Sequence, residues 1–262
     1  MIRLVALDID GTVVPHGETL PSARLTNAIR RVSESGTAVV LASGRMFPGT
    51  AVIHRHLGLT TQLICQQGCG IHRPDGSMTH QFPIAHPVAL ELVEYSRGRR
   101  FPYEWFNPVR YLVSERTEQS DTYGRLSGIV PEYLSKPESA GVEPTGVGVI
   151  STPEHAREVH RHLVGTHGDR LHVLDFPAVT VAVAPEANKA RALELLCEDL
   201  GIDRHETLAV GDSVNDAPML AWSPHSYAMP VSDAYARDAA REVLPEHPDA
   251  LAVLLESLLR PD

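Results

Sequence analysis

Apolar residues run along this chain in two rhythms. Residues Ile2 to Leu7 form an apolar run broken only by Arg3, and Thr37 to Ala42, T-A-V-V-L-A, form another. Short unbroken runs fit strands buried on both faces, as in a parallel sheet. Between them Pro21 opens a helix reaching about Ser35, with Gly36 as its stop. After S-G-R a second helix runs to about Leu57, and Leu63 to Cys65 begins a third strand. Strand and helix in alternation predict right-handed crossovers and a parallel sheet. The same rhythm returns late in the chain. Lys189 to Leu200 reads as an amphipathic helix closed by Gly201, Thr207 to Val210 as a buried strand, then G-D-S-V-N-D and a helix to about Trp222. A strand over Ser226 to Met229 and helices over Asp233 to Glu242 and over 248–260 complete the pattern.

The middle third is different. Ile71 to Phe82, with P-D-G-S at its centre, reads as a β-hairpin. A helix over Pro87 to Arg97 and strands over Pro102 to Phe106 and Tyr111 to Ser114 follow. Glu115 to Thr145 is polar and interrupted by Pro and Gly, and no element is assigned to it. A strand over Gly146 to Ile150, a helix over Pro153 to Gly165 and strands over Arg170 to Leu174 and Ala178 to Ala184 end the segment. The expected fold is therefore α/β: a Rossmann-like parallel sheet core with helices on both faces, built from 1–82 and 185–262, and an inserted α+β domain over 83–184.

Composition narrows the class. The 262 residues are 43% hydrophobic and 21% charged, enough for a sizeable core. A net charge of −10 disfavours nucleic acid and anionic membrane surfaces as partners. An anionic substrate must then be held by local groups: a metal, a lysine or backbone amides. Cys65, Cys69 and Cys197 match no zinc spacing and are too few for a disulfide framework. No apolar stretch reaches the ~18 residues of a membrane span, and the first residues lack a signal-peptide pattern, so a cytoplasmic protein is expected.

Four groups carry candidate chemistry, each at the end of a predicted strand or the start of a helix: Asp8 with Asp10, Ser43 with Gly44, Lys189, and Asp212 with Asn215 and Asp216. Open parallel sheets bind ligands beyond the carboxyl ends of their strands, so the crossovers should gather these groups at one edge. Paired carboxylates repel and raise each other's pKa unless a cation lies between them. An Asp-Gly turn after a strand is common, but Asp212 and Asp216 supply further carboxylates at another strand end. Hard oxygen donors without a His/Cys set suit Mg²⁺. Ser43-Gly44, between strand and helix, offers backbone amides to a phosphate. Lys189 gains nothing from a helix dipole at a helix start and needs another reason to be there.

D-I-D-G-T, S-G-R, a lysine and G-D-S-V-N-D, in this order, resemble the haloacid dehalogenase superfamily, and more narrowly its Cof-type phosphatases, which carry a large α/β cap. The resemblance implies a phosphatase acting on a small phosphorylated metabolite, such as a sugar phosphate, through an aspartyl-phosphate. It makes Asp8 the nucleophile and Asp10 the general acid/base. Ser43, Gly44, Lys189 and Asn215 would bind phosphate. Asp8, the backbone carbonyl of Asp10, and Asp212 would hold Mg²⁺, with Asp216 supporting the metal shell. The cap would close over the site and exclude water. The chain departs from the family pattern at Gln67, where asparagine is usual, at Ala187-Asn188 before the lysine, and over Pro230 to Asp233. Three other readings are a phosphomutase of the same fold, a non-catalytic phosphate-ligand sensor on that fold, which would not need the general acid Asp10, and a serine hydrolase using Ser213 of G-D-S, which would need a histidine partner.

Overall fold

The computed structural model describes residues 1–259, so the predicted end of the last helix at Arg260 lies outside the described residues. The chain divides into two compact units, one comprising Met1–Gly44, Thr50–Thr79 and the residues from Asn188 onward, the other Arg45–Gly49 and His80–Ala187.

In the first unit, β1 (Leu4–Leu7), α1 (Ala23–Glu34) and β2 (Ala38–Leu41) follow the predicted order, and α2 (Phe47–Leu57) comes next. β3 (Leu63–Cys65), β4 (Gly70–His72) and β5 (Met78–Gln81) form a small separate sheet. The predicted third parallel strand is thus only partly realised. A single parallel bridge links Ala42 and Ile64, while β3 ladders antiparallel with β4. The reason is local: Gln66 and Gln67 both take positive φ directly after Cys65 and turn the chain back at once.

In the second unit, α3 (His86–Arg99), β6 (Tyr103–Phe106), β7 (Tyr111–Val113), α4 (Glu118–Ser127), β8 (Glu132–Tyr133), β9 (Gly146–Ile150), α5 (Pro153–His167), β10 (His172–Phe176) and β11 (Val179–Val183) build a sheet of order β10-β11-β9-β6-β7-β8. Its pairings are antiparallel except β7 with β8. Residues of α3 and α5 pack with Tyr103, Trp105, Val147 and Val149. Trp105 is fully buried there, its Nε1 donating to the Val142 carbonyl at 2.8 Å.

The chain then returns through α6 (Lys189–Leu200), β12 (Thr207–Gly211), α7 (Ala217–Trp222), β13 (His225–Ala228), α8 (Ala234–Ala239), β14 (Glu242–Val243) and α9 (Ala250–Ser257). The core sheet has the order β14-β13-β12-β1-β2 and is parallel throughout. β1 is an interior strand between β12 and β2, with Leu4 opposite Thr207 on one side and Ala38 on the other. Its side chains alternate between two cores. Val5 and Leu7 pack with α1 and α9, and Leu4 and Ala6 with α6 and α7. The predicted helix to Glu242 stops at Ala239, because Ala240 turns extended and Glu242–Val243 pair with β13. Among the described residues no helix is long and apolar enough to cross a membrane.

Candidate active site

The carboxyl end of β1 delivers Asp8 into the protein, 3% exposed, its N–H bonded to the Val210 carbonyl at 3.0 Å. The chain then turns tightly, with Gly11 N–H donating to the Val14 carbonyl at 2.8 Å. Gly11 has φ +88°, and a Cβ there would overlap the Asp212 carboxylate, so glycine serves both the turn and the close approach. Asp10 lies in this turn, half-buried and paired across an isolated bridge to Val14. Its charge is felt at Asp212.

Lys189 opens α6 and is fully buried. Its Nζ donates to Asp8 Oδ1 at 2.6 Å and to Asp216 Oδ1 at 2.6 Å, which is the reason for a cation at a helix start. The backbone at this point is fixed by Asn188, whose side chain accepts from the Arg191 N–H at 2.9 Å and caps the helix. Burial pulls the ammonium's pKa down, but Asp216 and Asp8 outweigh it and hold it above its ordinary value.

Asp212 and Asp216 follow β12. Asp216 is saturated: Oδ2 accepts from the backbone N–H of Asp212 and of Ser213, each at 3.0 Å, and Oδ1 from Lys189. Asp212 is not. Its Oδ1 is buried and has no hydrogen-bond partner. Burial, then Asp216, raise the Asp212 carboxyl to about 7 against the opposing pull of Lys189. Asp8 is raised by burial first and by Asp216 next. One oxygen from each of Asp8, Asp212 and Asp216 lies within 4.8 Å of the others. With all three ionised, the carboxylates outnumber the one ammonium by two negative charges in a buried space, the state that burial resists. A divalent cation beside the orphaned Asp212 Oδ1 would neutralise them, so the donor set fits a hard, oxygen-seeking metal.

Ser43 is fully buried at the end of β2, its N–H donating to the Ile64 carbonyl at 2.9 Å. The helix expected to start here begins at Phe47 instead, three residues past Gly44, so Ser43 and Gly44 lie in a loop rather than in the first turn. Asn215 is buried, accepts from Ser213 Oγ at 2.8 Å and donates from Nδ2 to Gln67 Oε1 at 2.5 Å.

The structure thus brings Asp8, Lys189, Asp212 and Asp216 into direct contact or within a few ångströms, and joins Asn215 to the same loop. Ser213 hydrogen bonds with Asn215 and Asp216 and with no imidazole among the described residues, so the serine-hydrolase reading lacks its base. Two neighbours were not legible in sequence. Gln67 stood out only as a departure from a pattern, and His16, with Nε2 3.6 Å from Asp212 Oδ2, carries no local signal at all.

Known proteins resemble this chain in sequence and in fold over most of its length. Phosphatase YwpJ of Bacillus subtilis is 26% identical over 255 residues, covering 87% of this chain and 89% of its own. An HMP-PP phosphatase of Cronobacter sakazakii is 25% identical, covering 84% and 81%. A haloacid dehalogenase-like hydrolase from Bacteroides thetaiotaomicron superposes with a TM-score of 0.84 at 20% identity, covering 98% of this chain and 100% of its own, a likeness of fold. A sequence model of the haloacid dehalogenase-like hydrolases matches residues 5–254, and the carboxylate–lysine cluster beyond the carboxyl ends of β1 and β12 lies wholly within that span: the chain belongs to this family of hydrolases.

Proposed function

We propose that the protein is a Mg²⁺-dependent phosphatase that hydrolyses a small phosphorylated metabolite through an aspartyl-phosphate on Asp8. The observation that carries this reading is the unequal use of the Asp8 carboxylate. Lys189 engages Oδ1 and not Oδ2, and one oxygen of Asp8 lies within 4.8 Å of the carboxylates of Asp212, whose Oδ1 has no partner, and Asp216.

In this reading Asp8 Oδ2 attacks phosphorus and the bond from phosphorus to the ester oxygen breaks. Asp10 gives its proton to the departing alkoxide. Asp10 then takes a proton from water as that water attacks phosphorus, and the bond to Asp8 breaks to release inorganic phosphate. Lys189 favours the ionised form of Asp8 and offsets charge on the transferring group, while Ser43, Gly44 and Asn215 hold its outer oxygens. Asp8, Asp212 and the Asp10 carbonyl would hold Mg²⁺, which neutralises charge between the carboxylates and the phosphoryl group when bound. Asp216 acts by orienting Lys189 and the Asp212 backbone. Residues 83–184 are assigned the role of cap, supplying the contacts that discriminate among substrates, because the core groups address only the phosphoryl group that every substrate shares.

The test is release of inorganic phosphate from a panel of phosphorylated metabolites, assayed with Mg²⁺ and after exhaustive chelation. Turnover that vanishes with chelator and returns with Mg²⁺ supports the reading. Full activity without any divalent ion removes the metal from it, and absence of turnover across a broad panel removes the phosphatase.

A further inference from the structure

Gln67 sits where no fold requirement asks for a long amide. Its backbone is left-handed, φ 62° and ψ 12°, and its N–H donates to the Ser43 carbonyl at 3.2 Å. Its side chain then runs over Gly44: a Cβ at Gly44 would come within 2.6 Å of Gln67 Nε2. Its far end meets Asn215, 148 residues on in the chain, where Oε1 accepts from Nδ2 at 2.5 Å. One residue therefore spans two of the groups assigned to phosphate, the Ser43-Gly44 loop and Asn215.

The hydrogen bonds continue beyond Asn215 to Ser213. Ser213 Oγ donates to Asn215 Oδ1 at 2.8 Å, which turns Asn215 Nδ2 toward Gln67. Gln67 presents Oε1 to Asn215 and Nε2 toward Gly44. A neutral amide donor is thus held in one orientation, largely buried, in a loop that already carries Ser43. Most of the conformational entropy of a glutamine is already lost in this arrangement, so a hydrogen bond from Nε2 to a ligand costs little further ordering. What Nε2 faces is the Ser43-Gly44 loop, in which the phosphoryl oxygens would lie.

We infer that Gln67 is a phosphoryl-binding residue, its Nε2 donating a hydrogen bond to a non-bridging phosphoryl oxygen while its Oε1 keeps Asn215 in register. This rests on the phosphatase reading for the position of the phosphoryl group, and it adds an uncharged amide donor to the site. Two substitutions separate binding from folding. Gln67→Glu keeps the shape and replaces the donor by an oxygen. Gln67→Asn keeps the amide and suits a left-handed backbone, asparagine being at ease there, but is one methylene too short to reach Asn215.

The experiment measures three quantities on wild type and both variants with Mg²⁺ present: calorimetric binding of inorganic phosphate, KM and kcat with p-nitrophenyl phosphate, and the thermal midpoint. Gln67→Glu is expected to weaken phosphate binding and raise KM tenfold or more. Gln67→Asn is expected to weaken both several-fold with the midpoint little changed. The Mg²⁺ concentration for half activation should be the same in all three. Unchanged phosphate binding and KM in both variants overturn the inference, as does a loss that tracks the thermal midpoint alone. Failure of the phosphatase reading looks different: wild type and variants then lack turnover, while phosphate binding still reports on Gln67. A wild type that does not bind phosphate overturns both.

Discussion

Lys189 is the residue on which the site's charges balance. With Nζ at 2.6 Å from both Asp8 and Asp216 and no exposure to solvent, its removal leaves buried carboxylates facing one another. Lys189→Met is expected to cost about 3–5 kcal/mol in urea unfolding, the penalty of breaking a buried pair by removing one partner, and to abolish turnover. Added Mg²⁺ should restore part of the stability and none of the activity. The two aspartates of the first motif should fail differently. Asp8→Asn should form no phosphoenzyme in rapid-quench labelling. Asp10→Asn should lose about 10²–10⁴ in rate with an alkyl phosphate, whose alkoxide needs a proton, and less with p-nitrophenyl phosphate. Equal impairment on both substrates would remove Asp10 as the acid. Asp8, Lys189, Asp212 and Asp216 were legible in the sequence because each falls at a strand end or helix start, and topology alone gathers such positions. Gln67 was not, because its role depends on a left-handed backbone and on the direction of a long side chain, neither of which leaves a pattern.

At the scale of elements, the strands buried on both faces were read from composition because β1 divides its four residues between two cores and none of them can be polar. α4 was missed for the opposite reason. Its sequence E-Q-S-D-T-Y-G-R-L-S has no apolar stripe, its buried positions are Ser120, Gly124 and Ser127, and its start is set by a Thr117–Ser120 capping box. The junction between the Gln66–Gly68 turn and the start of α6 is the most constrained contact between elements near the site. Gly68 has φ +99°, and a Cβ there would overlap the backbone of Asn188 and Lys189. Gly68→Ala should therefore combine backbone strain with displacement of the α6 start, destabilising by roughly 1–3 kcal/mol and reducing kcat as Lys189 shifts. Gly36→Ala, with φ +95° but open space around it, is the control: a loss of about 1 kcal/mol and unchanged kcat. Equal effects of the two on kcat would mean that the turn does not position Lys189.

For the whole molecule, stability should carry a pH dependence written into the inserted sheet. Glu104 is buried on β6, accepts a hydrogen bond from the Tyr111 hydroxyl, and is raised by burial from 4.5 to about 7, the Tyr111 bond partly opposing. Between those values the folded chain keeps a proton that the unfolded chain releases, so this contribution to stability is full below about pH 4.5 and is lost as pH rises through 7. The amount at stake is about 3 kcal/mol. Glu104→Gln stays neutral throughout, so its stability relative to wild type should increase between pH 5 and pH 8 in urea titrations. A constant difference would show that Glu104 titrates normally. Substitutions in 83–184 should reorder substrate preference while leaving the Mg²⁺ requirement intact, and an unchanged ranking across such variants would deny that segment its selecting role. The register of β1 also sets a schedule for biosynthesis. Leu4 pairs with Thr207, about two hundred residues later, whereas every strand of the inserted sheet lies between Tyr103 and Val183. At ribosomal speeds of about 5–20 residues per second, the open side of the strand that carries Asp8 waits about 10–40 s for its partner. The inserted sheet, complete in one stretch, is free to fold in that interval, so the newborn chain completes the later-encoded sheet before the strand that leads into Asp8 is closed.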